Sequence, residues 1–394
     1  MDAPLPCSEY TRVRLPDLFR SFLKDQPRIN KHYEEVRHES EEWLNSLGSF
    51  SPKMRARISR CDFSYFCAIA APTAPRDRFR TLCDWGNWVF PFDDIFDNGE
   101  LRDQPKQAAL VLDSLMALML GHVDDNAEPT GLRAMPIIMA HDSVFRRMAV
   151  SGEGVRTRFA RAMQKYSTGV LVQVSDQFSH YTPDLAEIVL TRRESAGVSP
   201  LYHLVEYAHG LSVPGEVFAS PIIKEMEVLG MDMVSISNDM LSYLKEEREQ
   251  VPHNMVAVCR MRGLSAQQSF DTVSELLVAC YTRWDELESL LNQDSSREPP
   301  SESVTAYLCL ADSATRQQAL QYVEGIKNVV KANMYWSFKS QRYFGQNGES
   351  VRLSRGIDVL VHPAYLDKNT MSNDRCVQGM QRMASKPWKK IPKQ

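Results

Sequence analysis

Trp85-Gly86-Asn87-Trp88-Val89-Phe90-Pro91-Phe92-Asp93-Asp94-Ile95-Phe96-Asp97 is an aromatic, apolar run that ends in three carboxylates. An approach of this kind belongs to a buried helix, where charges are not left unpaired. A pocket mouth that holds metal resolves the conflict. Asp93 and Asp97 are i and i+4, so they share one helix face. A second acidic motif, Asn238-Asp239-Met240-Leu241-Ser242-Tyr243-Leu244-Lys245-Glu246, lies well downstream. Its Asn238, Ser242 and Glu246 are i, i+4 and i+8 and drift only slowly around one side of a helix. Hard oxygen donors on two facing helices suit Mg²⁺, which keeps waters and shares itself with substrate phosphates. The two motifs together read as a diphosphate clamp in a helical protein.

The competing reading is a pair of solvated acidic helix faces. A chance D-D-x-x-D in a chain of this length has a probability of roughly 0.1, so the first motif alone is weak. The second fixes more residue types and arises by chance on the order of 10⁻³, so it carries the specificity. Asp124-Asp125 lies in a polar stretch with no third Asp and takes no role.

Helical periodicity runs through the rest of the chain. His32 to Leu47 is amphipathic, and Ser51-Pro52 reads as a cap and first turn. Asp62 to Ala71 is aromatic-rich, and 78–96 is the buried helix that carries the first motif, with Pro91 loosening its backbone. Helical segments follow over 105–122, 130–150, 154–180 and 184–210, the last interrupted at Ser195-Ala-Gly197-Val-Ser-Pro200. Gly210 with Pro214 predicts another break, and 219–249, 253–260, 265–292 and 302–345 complete the series. No run of alternating strands, Gly-rich phosphate loop or solenoid repeat is visible. The expectation is an all-α fold: one antiparallel helical bundle around a central cavity over 31–345. A segment 1–30 precedes it, and an extension 346–394, partly disordered, follows.

Composition removes several function classes. The 394 residues carry a net charge of −4 with 43% hydrophobic content, which gives no nucleic-acid footprint. Eight cysteines form no C-x-x-C pair and read as buried thiols of a cytoplasmic protein. The N-terminus has no apolar signal core, and Ala108 to Leu120 is too short to span a bilayer, so no integral membrane segment is expected. Residues 292–301 read as a polar surface loop, and the basic ending 386–394 as a solvated tail.

With these motifs in order, the chain resembles the fungal class I terpene synthases, specifically sesquiterpene cyclases, up to about Phe344. Asp93-Asp94-x-x-Asp97 is similar to the family's aspartate-rich motif, and Asn238, Ser242 and Glu246 to its second metal motif, with Lys245 in the fungal form. Arg342-Tyr343 resembles the C-terminal Arg-Tyr pair. Arg192-Arg193-Glu194-Ser195-Ala196-Gly197 resembles the segment holding the diphosphate-sensing arginine, with Ser195 where many relatives have Thr. The stretch from Trp85 is most similar to ascomycete presilphiperfolanol- and caryophyllene-type cyclases.

The resemblance implies Mg²⁺-dependent ionisation of farnesyl diphosphate, with three Mg²⁺ ions, by a monomer or homodimer. It implies metal ligation by Asp93, Asp97, Asn238, Ser242 and Glu246, with Asp97 alternatively pairing with an arginine. Arg193, Lys245 and Arg342 would contact the diphosphate, and Tyr343 would donate to it. Arg193 has the expected spacing to Gly197, and Arg192 is the alternative. Gly197 would break a helix and bare a carbonyl toward the cavity. Phe90 and Trp336 share registry with the motifs and are candidate cavity aromatics, whereas Phe63 and Phe66 are expected in the core. Alternatives are a chain-elongating isoprenyl diphosphate synthase, a cyclase for another prenyl length, or an inactive helical scaffold. The elongase would carry a second D-D-x-x-D, and the scaffold would lack a ligand.

Overall fold

A computed structural model describes residues 10–48, 51–292 and 313–366. A short strand β1, Tyr10–Arg14, leads into helices α1 (Tyr33–Gly48), α2 (Pro52–Cys61), α3 (Phe63–Ala70), α4 (Arg76–Asp97), α5 (Pro105–Met116) and α6 (Pro136–Arg147). Then follow α7 (Glu153–Ser179), α8 (Leu185–Ser195), α9 (Val198–Ala208), α10 (Gly215–Ala219), α11 (Pro221–Glu249), α12 (Met255–Met261) and α13 (Ala266–Asn292). After the next described residues come α14 (Ser313–Lys339), α15 (Gly348–Ser354) and strand β2 (Gly356–Leu360).

Local chemistry sets the boundaries. Ser51 caps α2 by accepting from the Met54 amide, and Pro52 takes the first turn. Asp62 has a left-handed backbone, ends α2 and caps α3 through the Tyr65 amide. Its other carboxylate oxygen accepts from the Tyr33 hydroxyl at 2.6 Å, which ties the turn to α1. Asp184 and Glu187 form a reciprocal capping box at α8. α4 runs unbroken through Pro91, because the missing N–H affects one bond in a helix held by buried Trp88, Phe92 and Phe96.

The helices enclose a cavity. α3 packs on α4 and α14, α11 on α13 and α14, and α7 on α8 and α9. Trp88, Trp284 and Trp336 are fully buried in the surrounding core. The Ala108–Leu120 stretch forms most of α5, with Ala108, Val111, Leu112 and Leu115 turned inward. No helix among the described residues is long and apolar enough to cross a membrane. Cys61, Cys67, Cys83, Cys259 and Cys280 are buried free thiols. Cys7, Cys309 and Cys376, the 292–301 loop beyond residue 292 and the basic ending lie outside the described residues.

Two segments set apart on sequence grounds are held against the bundle. β1 pairs antiparallel with β2, Val13 opposite Ile357, and Val13, Ile357 and Val359 are buried. The Arg260 guanidinium donates to the carbonyls of Leu360 and Val361 at 2.8 and 2.7 Å, anchoring β2 to α12. The all-α bundle thus carries one two-stranded ribbon, which ties residues 10–14 to residues 356–360.

One core residue is a liability. His141 on α6 is fully buried against the Trp88 ring at 4.6 Å, and neither ring nitrogen has a hydrogen-bond partner among the described residues. Burial pushes its pKa from 6.5 down to about 3. Between those values the unfolded chain binds a proton that the folded one refuses, so stability falls as pH drops below 6.5. His141→Phe should stabilise the fold by about 1–3 kcal/mol at neutral pH. Its advantage should widen by up to about 1.4 kcal/mol per pH unit on acidification. Urea unfolding at several pH values checks this, and a pH-independent gap between variant and wild type would contradict it.

Candidate active site

The two acidic motifs meet at the cavity mouth. Asp93 and Asp97 at the end of α4 and Asn238 and Glu246 on α11 line the same cavity, together with Arg192, Gly197, Arg342 and Tyr343. The interior is built from Phe63, Phe66, Trp85, Val89, Phe90, Tyr166, Val198, Leu201 and Val234. Phe63 stacks on Phe90 with ring centroids 4.0 Å apart. Phe63 and Phe66, expected in the core, thus line the wall. Trp336 does the reverse. Its indole N–H donates to the Cys61 carbonyl at 2.7 Å, and the ring sits behind Phe90 and Phe63 without lining the cavity.

Negative charge crowds the mouth. Burial and neighbouring Asp97 push Asp93 well up, against the opposing pull of Arg192 and the Tyr166 hydroxyl, which donates to Asp93 at 3.0 Å. Burial and Glu246 raise Asp97 to about 6, while its Oδ1 accepts from the Gln173 amide at 2.5 Å. Glu246 is raised by burial and accepts from the Asn254 amide at 2.8 Å. Asp94 behaves differently. Burial would raise it, but Arg342, donating at 2.8 Å, outweighs burial and holds Asp94 below its ordinary value. Arg57 adds a contact at 3.5 Å. Arg342 therefore pairs with Asp94, not Asp97, while lying over the Phe90 ring at 5.2 Å.

The structure separates the adjacent arginines. Arg192 lines the cavity, donates to Asn238 Oδ1 at 3.1 Å and pairs with Asp239 at 2.8 Å. Arg193 turns to the other side of α8 and forms a two-pronged bond to buried Asp232 at 2.6 and 2.8 Å. Its expected position at the cavity is corrected in favour of Arg192. Gly197 joins α8 to α9 at φ +68°, the expected break, and it faces the cavity beside Tyr166 and Val89. Lys245 pairs with Glu249 at 2.6 Å and does not line the cavity, while its charge acts on Asp94, Asp97 and Glu246 at the mouth. Tyr343 Oη accepts from the Asn238 amide at 2.9 Å, and its own proton remains available to donate.

Several participants lie outside the expected set of site residues. Asp239 holds Arg192 and accepts from the Met255 amide at 2.8 Å. Asn254 uses Nδ2 on both the Asp239 carbonyl and Glu246, and its Oδ1 caps α12. Tyr166, Gln173, His253 and Asn333 were also missed. Asn254, standing just before a short helical run, carries the cap signature that could have marked it.

The donor set fits a hard divalent cation. Ser242 Oγ is buried with no hydrogen-bond partner among the described residues, on the helix face between Asn238 and Glu246. A buried orphan hydroxyl is unfavourable unless a ligand completes it. Among the described residues no three His, Cys, Asp or Glu side chains already converge at metal distance. The α11 set supplies one carboxylate with an amide and a hydroxyl, a mixture that hard cations accept. Asp125, of the Asp124-Asp125 pair, binds Arg146 at 2.7 Å and does not line this cavity.

Comparison with known proteins agrees with this arrangement. The family described as terpene synthase family 2, C-terminal metal binding, matches residues 84–283. The silphinene synthase of Penicillium patulum is 33% identical over 89% of this chain and 90% of its own length. Sesquiterpene synthase 1 of Postia placenta is 28% identical over 89% of this chain and 96% of its own. The crystal structure of an α-eudesmol synthase superposes with a TM-score of 0.69 at 24% identity, covering 82% of this chain and 99% of that one. A helical bundle of that architecture, the family match and the relatives together place this chain among the fungal class I terpene synthases.

Proposed function

We propose that this chain is a sesquiterpene synthase that ionises farnesyl diphosphate and closes the resulting cation into a cyclic hydrocarbon or alcohol, releasing diphosphate. One observation carries the reading. The cavity has hard oxygen donors and two guanidinium groups at its mouth and ring faces within. The mouth suits a departing diphosphate, and the interior suits a carbocation, which ring faces stabilise and water destroys.

Mg²⁺, three ions by family resemblance, would neutralise the leaving diphosphate. Asp93 and Asp97 would hold metal from α4, and Asn238, Ser242 and Glu246 from α11. Asn238 has one acceptor oxygen, which Arg192 now occupies. A metal ion on Asn238 Oδ1 would set a second positive charge against the Arg192 guanidinium, and that repulsion would favour release of Arg192, whose freed fork then points a positive charge into the cavity. Arg192 is thus the diphosphate sensor in this reading, and Arg342 and Tyr343 add contacts. Arg193 instead balances the buried charge of Asp232. The mixed α11 set, in place of a second D-D-x-x-D, disfavours the elongase, and the complete ligand set disfavours an inactive scaffold.

Purified protein with farnesyl diphosphate and Mg²⁺ should yield a cyclic fifteen-carbon product by gas chromatography–mass spectrometry, and excess chelator should abolish it. A longer diphosphate formed when isopentenyl diphosphate is added would favour the elongase instead. Absence of any terpene product would overturn the proposal. Ser242→Ala should leave the melting temperature of the metal-free protein unchanged or slightly raised, since it removes an orphan hydroxyl. The Mg²⁺ concentration for half-maximal activity should rise about tenfold or more. An unchanged Mg²⁺ requirement would show that Ser242 is not a ligand.

A further inference from the structure

His253 sits where two spaces meet. It lines the cavity beside Arg192, Gly197 and Val251. It also lines a separate outer groove with Gln173, Tyr181 and Gln250. The side chain is 9% exposed. Its Nε2 lies 3.2 Å from Ser195 Oγ. The other nitrogen, Nδ1, has no hydrogen-bond partner among the described residues. Burial and the nearby Arg192 charge hold the ring well below the ordinary imidazole pKa, so it is neutral at physiological pH.

The other polar groups of the wall are committed or weakly basic. Asp93, Asp97 and Glu246 belong to the mouth and its metal. The Tyr166 hydroxyl donates to Asp93, the Asn333 amide donates to Ser237 Oγ at 3.0 Å, and the Cys67 thiol donates to the Leu82 carbonyl at 3.5 Å. Neutral imidazole is a far better proton acceptor than an amide, a phenol or a thiol.

We propose that His253 is the catalytic base that ends the cyclisation, accepting a proton from the last carbocation at Nδ1. The inference rests on the cyclase reading given above. A C–H bond next to the cationic carbon breaks, and its electron pair becomes the new C=C bond. The step uses the tautomer with its hydrogen on Nε2, in which Nε2–H donates to Ser195 Oγ, fixes the ring and leaves the Nδ1 lone pair to take the proton. The imidazolium so formed lies beside Arg192, in a setting that disfavours positive charge, and it returns its proton to water through the outer groove. No oxidant or further reactant is required. A carbocation is so strong an acid that even a base of lowered pKa is sufficient.

The test uses His253→Gln and His253→Phe with farnesyl diphosphate and Mg²⁺, and reads diphosphate release and product composition separately. Gln can still hydrogen-bond Ser195 but is not basic. In both variants diphosphate release should stay within a few-fold of wild type. Formation of the wild-type olefin should fall by about 100-fold or more, with carbon diverted to other olefin isomers or to alcohols. A wild-type product pattern in His253→Gln would overturn the proposal and leave His253 as a support for Ser195. Parallel loss of diphosphate release and product would also overturn it, by placing the role before ionisation. Failure of the wild-type protein itself to make a terpene would instead count against the cyclase reading.

Discussion

Three carboxylates share a buried cavity mouth, and the surrounding structure answers the resulting repulsion. Asp93 and Asp97 come from α4 and Glu246 from α11, and each is pushed toward protonation by burial and by its neighbours. Each receives one neutral donor, from Tyr166, Gln173 and Asn254 respectively. The nearby positive charge of Arg192 offsets part of the remainder. Neutral donors hold a carboxylate in place without cancelling its charge. The arrangement is therefore ordered yet electrostatically incomplete, which is the condition in which a divalent cation binds best.

Arg192 links that incompleteness to the substrate. Its partners, Asn238 and Asp239, are adjacent residues of the second acidic motif, and Asn238 is also a candidate ligand. The backbone between α11 and α12 then braces both sides, since Asn254 reaches Glu246 and the Asp239 carbonyl, and the Met255 amide reaches the Asp239 carboxylate. Metal on the α11 half-site and the Arg192 hydrogen bond thus bring two positive charges to one amide oxygen. On the other wall Arg342 and Asp94 form a second, separate pair beside Phe90.

Much of this was legible in the chain. The i, i+4 spacing of Asp93 and Asp97, the i, i+4, i+8 spacing of Asn238, Ser242 and Glu246 and the break at Gly197 each follow from helix geometry. What failed was phase. Neighbouring helical residues point about 100° apart, and Thr191-Arg-Arg-Glu194 has no apolar position to say which arginine faces inward. The deciding partner, Asp232, lies on another helix. Trp336 was misplaced for a similar reason, because the Cys61 carbonyl that captures its indole is remote in sequence. His253 and Asn254 occupy a short connection with no periodicity. The β1–β2 ribbon did leave a trace. Arg12-Val13-Arg14 and Ile357-Asp358-Val359 alternate polar and apolar residues, but each is too short to stand out among so many helices.

The central claim is that the two acidic motifs close on metal while Arg192 moves from Asn238 to the diphosphate. A crystal structure with Mg²⁺ and inorganic diphosphate tests it most directly. Asn238 Oδ1, Ser242 Oγ and Glu246 should ligate one ion, Asp93 should ligate metal from the opposite side, and Arg192 should contact a diphosphate oxygen while Arg193 stays on Asp232. Diphosphate bound by Arg193, or metal bound while Arg192 still holds Asn238 Oδ1, would contradict the account.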